Sequence, residues 1–221
     1  MTNNMTNKLS ALTALLLISA SAQATVITYG NRAAFEANPG TIISDDYENA
    51  GYGSLQSDAQ MSAVVGETQY TATGHSNVNI VFSTGSNILY CAGCNGSFRL
   101  DFSSTSVSGA GGVFGVGFDY FNSQFPLYHA FVTFVDNTTV DFALNQVSFP
   151  NLNFFGITAD ELIKTIHLGL ANGGATQEGS FGQDNLTLIG NIRQTVPEPT
   201  TLALMGLGLA GVGAMRRKLR V

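Results

Sequence analysis

The sequence predicts an all-β body: an antiparallel two-sheet sandwich of the jelly-roll kind, between a short leader and a short apolar tail. Three observations predict it. Apolar and polar residues alternate with period two over short segments. Clusters of Asn, Asp, Thr and Gly punctuate those segments at turn-like spacings. Nowhere does a long amphipathic helical pattern appear.

In chain order, Lys8 and the polar start give a positive region, and Leu9 to Ser19 is an apolar run too short to span a bilayer. Ala22-Gln23-Ala24 fits an A-x-A cleavage site, so residues 1–24 read as a secretory signal peptide and Thr25 as the mature start. The alternative is a buried N-terminal core helix. The export translocon and signal peptidase are the partners this leader implies. A short helix is expected from Arg32 to Ala37, with Asn31 as its N-cap.

Strands follow. Val78 to Phe82, Val113 to Phe121 and Ala130 to Val135 are nearly continuous apolar runs, as central strands are. Phe98, Leu100 and Phe102 share one face, with Arg99 and Asp101 on the other; Val140, Phe142 and Leu144 alternate with Asp141 and Ala143; Leu186 and Leu188 repeat the pattern. Asp136-Asn137-Thr138-Thr139 predicts a hairpin between two of these runs, and Asn172-Gly173-Gly174 a further turn. A second helical turn is expected from Thr158, with Asp160 and Glu161 in its first turn. The body spans residues 25–193, a length that suits one domain.

Residues 194–221 differ in kind. Val196-Pro197-Glu198-Pro199 holds the backbone extended and excludes helix. Leu202 to Met215 is apolar and Gly-rich, fourteen residues that would make a helix of about 21 Å. Arg216, Arg217, Lys218 and Arg220 close the chain and should stay cytoplasmic. Gly206-Leu207-Gly208-Leu209-Ala210-Gly211 matches G-x-G-x-x-G. No strand precedes it and no acidic residue follows, so close helix approach explains it better than a dinucleotide.

This tail resembles the PEP-CTERM sorting signal of Gram-negative bacteria. The resemblance implies recognition by an exosortase, cleavage near Pro197-Glu198-Pro199, transient anchoring in the inner membrane, and final residence at the cell surface or outside the cell. It also implies an association with exopolysaccharide and biofilm matrix. An ordinary tail anchor is the alternative.

Composition restricts the body's partners. From Thr25 to Pro199 there are four basic residues against fifteen acidic ones, a net charge of −11 that the four cations of the tail and Lys8 mask to −6 overall. Nucleic acid is excluded as a partner, because its phosphates would be repelled. The two cysteines, Cys91 and Cys94, stand in Cys-Ala-Gly-Cys. Outside the cytoplasm a local disulfide is the default; redox chemistry and free or metal-bound thiols are the alternatives. Asn95-Gly96 and a strand follow the pair, whereas a thioredoxin-type motif would open a helix.

Four segments of the body stand out: Asn31-Arg32-Ala33-Ala34-Phe35-Glu36, Val116-Gly117-Phe118-Asp119, Phe154-Phe155-Gly156-Ile157 and Phe181-Gly182-Gln183-Asp184-Asn185-Leu186. They resemble the bodies attached to many such sorting tails, which are similar to lectin-like or carbohydrate-binding-module sandwiches. In that resemblance a structural calcium ties an early acidic segment to an Asp on the final strand. Asp46 and Glu48, with Asp184, match those positions, and calcium takes six to eight oxygens. Solvated turn carboxylates or strand-end caps are the alternative. No other cofactor is expected.

Searching for catalysis finds no G-x-S-x-G, H-E-x-x-H, EF-hand loop or P-loop. His75, His129 and His167 are far apart in sequence. Trp is absent, although Tyr47, Tyr52, Tyr70, Tyr90, Tyr120 and Tyr128 offer rings for stacking on sugars. The expectation is therefore a non-enzymatic exported protein with a structural or glycan-adhesion role, extracellular polysaccharide being its ligand. The alternative is a secreted polysaccharide hydrolase, which would need two carboxylates opposed across a cleft.

Overall fold

The computed structural model describes residues 24–190, apart from 75–77, 85–86, 95, 108–110, 124–126 and 173–179. The chain divides after Asn191, and the terminal unit, 192–221, lies outside the described residues, as do residues 1–23. The signal peptide, the sorting motif and the apolar anchor segment all fall there.

The body runs β1 (Val26–Tyr29), α1 (Arg32–Glu36), β2 (Thr41–Asp45), α2 (Asp58–Val65), β3 (Gln69–Ala72), β4 (Asn79–Thr84), β5 (Asn87–Ala92), β6 (Phe98–Asp101), β7 (Val113–Asn122), β8 (His129–Phe134), β9 (Thr139–Ala143), β10 (Asn153–Gly169) and β11 (Phe181–Gly190). All pairings are antiparallel and form one continuous, curled sheet.

Two layers arise because β10 is long enough to serve both. Its first half pairs with β1 and β7, and β7 continues to β11 and β2. Its second half pairs with β6 and β8, which lead on to β3 and β9. β5 and β4 extend the sheet from the start of β11. Ring contacts close the core between layers: Phe98 of β6 lies 5.9 Å from Phe181 of β11, and Phe142 of β9 lies 5.7 Å from Phe155 of β10. Phe98, Leu100 and Phe102 are fully buried, as their alternation predicts. Each contributes about 2 kcal/mol of apolar burial.

The predicted hairpin forms at Asp136. Its carboxylate accepts from the Thr138 amide at 2.8 Å, and Asn137 adopts a positive φ of 67°. The Asn31 cap is also present, its side chain accepting from the Ala34 amide. Cys91 and Cys94 are joined in a disulfide at the end of β5.

Several expectations are corrected. Thr158 begins no helix: it lies within β10, paired with Ile27 and Gly115. Asp160 there accepts from the Thr25 amide at 2.7 Å, so cross-strand pairing overrides the acidic helix-start signal. The run from Ala130 forms β8, which is half-buried, with His129, Phe131 and Thr133 facing outward. Of the run Val78 to Phe82, the part from Asn79 lies in β4, a strand at the end of the sheet path with only Asn79 fully buried. β11 is buried on both faces, with Thr187 as inaccessible as Leu186 and Leu188. α2 is a helix beyond the two expected, and Ser57 and Gln60 form a capping box at its start.

Candidate functional site

The four segments singled out by sequence meet at one place. Asn31 caps α1, and the helix turns Phe35 inward and Arg32 across the adjoining sheet. Phe35 is buried over β7 and β10 at positions where only glycine leaves room. A Cβ on Gly117 would stand 2.6 Å from Phe154 and 2.8 Å from Phe35, and one on Gly156 would stand 2.6 Å from Phe154. The Phe154 ring sits between the two helical side chains, 5.6 Å from the Phe35 ring, with the Arg32 guanidinium 4.8 Å above its centre.

Arg32 then gathers the strands. Its Nη2 donates to Asp119 of β7 at 2.8 Å and to the Asn185 carbonyl of β11 at 2.9 Å. Its Nη1 donates to Thr187 at 2.7 Å and to Glu36 at 3.0 Å. A bulge between Asp184 and Thr187 makes this possible: Asn185 takes a positive φ of 51°, which Asn tolerates well, and its Nδ2 donates to Asp119. The result is a clasp joining α1, β7, β10 and β11.

Asp184 sits beside the clasp, its Oδ1 accepting from the Asn185 amide at 2.7 Å. Burial pushes its carboxyl up to about 6; the nearby Asp119 and Asp46 charges add to that, while the Asn185 bond and Arg32 oppose it. The structure thus brings Asp46 within electrostatic range of Asp184. Asp46 and Glu48 themselves are exposed, and the Asp46 side chain accepts from the Glu48 amide at 3.0 Å. Among the described residues no group of three His, Cys, Asp or Glu is arranged to hold a metal ion, so Asp46, Glu48 and Asp184 are not gathered as a ligand trio.

A second polar knot is internal. Asp45 accepts from Tyr52, lies 3.3 Å from the Tyr70 hydroxyl, and takes the Tyr47 amide at 3.0 Å. Gln183 donates to the Tyr47 hydroxyl at 2.5 Å. Burial raises the Asp45 carboxyl against the pull of these donors, and raises the phenols of Tyr47, Tyr70 and Tyr90 well above their ordinary value. Tyr47, Tyr70, Tyr90, Tyr120 and Tyr128 are all buried. They are core residues, and only the half-buried Tyr52 of the six reaches toward solvent. The stacking role proposed for them from sequence does not fit their positions.

Of the histidines, His129 pairs with Asp141 at 2.7 Å, His167 lies 2.9 Å from the Thr73 hydroxyl, and His75 falls outside the described residues.

The body is thus a curled antiparallel sheet tied by a side-chain clasp. Residues 195–218 match the PEP-CTERM protein-sorting motif, taking in Val196-Pro197-Glu198-Pro199 and Arg216, Arg217 and Lys218, with Arg220 just beyond. That motif implies an exported, cell-surface protein sorted by an exosortase. The chain is also similar to a mutant family 29 carbohydrate-binding module solved with cellulohexaose, at 15% identity and a TM-score of 0.33, covering 55% of this chain and 91% of that one. No curated protein matches the chain.

Proposed function

We propose that this chain is exported with loss of residues 1–24, passed to an exosortase through Val196–Pro199 and its basic end, and displayed at the cell surface as a non-catalytic β body. There it serves an exopolysaccharide matrix, structurally or by adhering to glycan. The observation that carries this reading is the sorting-motif match over residues 195–218.

Several carboxylates of the body are committed to the fold. Asp119 is held by Arg32 and Asn185, and Glu67 by Thr105 and Ser106. Asp45 and Glu67 line one enclosed cavity, but its volume is about 10 Å³, room for a water molecule and not for a sugar ring. A glycosidase needs two carboxyl groups facing each other across its substrate.

The test is replacement of Pro197, Glu198 and Pro199 by alanine in the native host, followed by fractionation. The expected result is that the wild-type body leaves the inner membrane while the variant stays there. Equal release of both would overturn the proposal.

A further inference from the structure

The outward face of the second layer carries a groove of about 410 Å³, opened on β6, β8 and β10. Two cross-strand rows build it. Thr133, Thr165 and Asp101 form one; Phe131, His167 and Arg99 form the other. The period-two alternation that sends Val132, Ile166 and Leu100 into the core turns these residues to the other face, where Thr165 stays buried on the groove floor.

Lys164 joins them by a different device. The register between β10 and β8 shifts between Ile163 and Thr165, so Lys164 is the extra residue of a bulge. Its carbonyl accepts from the Phe102 amide at 2.9 Å, which anchors the bulge, and its side chain lines the groove.

The charge of this groove is opposite to that of the body. Of the four basic residues in a body of net −11, Arg32 is committed to the clasp and Arg193 lies outside the described residues. The other two, Arg99 and Lys164, both line this groove, and neither has an ion-pair partner among the described residues. The single carboxylate of the lining, Asp101, is engaged by the Ser103 amide at 2.8 Å. Phe131 supplies a half-exposed ring between two imidazoles, 5.9 Å from His129 and 6.0 Å from His167. Burial and the neighbouring Arg99 hold the His167 imidazole below its ordinary value, which keeps that ring a neutral hydrogen-bonding platform near pH 7.

We propose that this groove binds an acidic polysaccharide, with Arg99 and Lys164 taking sugar carboxylates and the Phe131 ring taking the apolar face of a pyranose. Arginine forks match carboxylates, and an aromatic face suits the C–H side of a sugar ring. The Thr133 hydroxyl of the other row, 3.3 Å from that of Thr139, offers a partner for a ring hydroxyl. This inference rests on the reading of the chain as an exported surface protein, since that is where such a polymer would be met. The acidic remainder of the body repels polyanions, so binding should be confined to this face.

The experiment uses the full-length protein in mild detergent, immobilised, with polygalacturonate, dextran and poly-L-glutamate as probes. Polygalacturonate is expected to bind and dextran not to bind. The Arg99→Gln/Lys164→Gln double variant should bind at least about tenfold more weakly with its melting temperature unchanged. Arg99→Glu, at an exposed position, serves as a second variant should the double one unfold, and Phe131→Ser should weaken polygalacturonate alone. Absence of polygalacturonate binding, equal binding of dextran, or variants that bind like the wild type would overturn the proposal. So would poly-L-glutamate binding as tightly as polygalacturonate and indifferently to Phe131. These outcomes are independent of sorting, which is read by location in the cell.

Discussion

Arg32 distributes one guanidinium over α1, β7 and β11, so its removal acts at four partners at once. Arg32→Ala leaves Asp119 half-buried without its cation, and should cost about 2–3 kcal/mol in urea denaturation. Arg32→Lys should recover little of this, because an ammonium cannot fork between Asp119 and the Asn185 carbonyl or lie flat on Phe154. Asp184 makes a pH prediction. Its carboxyl is raised from 3.8 in the unfolded chain to about 6 in the fold, so the fold binds its proton more tightly. Its stabilising contribution is complete below about pH 4 and is lost as pH rises through about 6. Asp45, raised by burial, acts in the same direction. Asp184→Asn should therefore be more stable than wild type at pH 7, by about 1–2 kcal/mol, and the advantage should vanish near pH 4 in parallel melts.

At the scale of elements, α1 is seated by glycines in its neighbours. Gly117→Ala forces a methyl against the Phe35 and Phe154 rings and should destabilise by about 1–3 kcal/mol. In a Phe35→Ala background, where the Phe154 ring 5.6 Å away can shift into the vacated space, the same change should cost less, which a double-mutant cycle in denaturant would show. Ser57→Ala should cost about 1 kcal/mol through loss of the α2 cap. How legible these elements are in the sequence depends on how local their causes are. Asn31, the Asp136 turn and the alternation at Phe98 act through neighbours in the chain, and each is readable. The capping box at Ser57 and Gln60 is equally local, and its spacing is a readable helix start. Thr158 to Glu161 misleads because two acids after a threonine resemble a helix start, while the decision is made by β1 and β7 in pairing. The four segments of the clasp can each be seen in the sequence, but their meeting cannot, because it depends on strand order and on the bulge at Asn185. The tyrosines mislead for a related reason: a tyrosine at a sugar site and one in a core have the same sequence signature, and only their burial separates them.

On the scale of the whole molecule, the two ends and the body answer different questions. The body is an antiparallel sheet curled on an aromatic core, strongly acidic, and among its described residues the two cations without an ion-pair partner, Arg99 and Lys164, line one outer groove. The tail is an address, and residues 195–218 match the sorting motif independently of anything in the body. Together they describe an exported, cell-surface protein. Intact mass of the protein recovered from the native envelope and from the medium tests this most directly. A mass that begins at Thr25 and ends near Pro197-Glu198-Pro199, alone or with an added glycan or lipid, is the predicted result. A mass retaining Leu202 to Val221 in every fraction would contradict it, and would make the chain a plain tail-anchored protein.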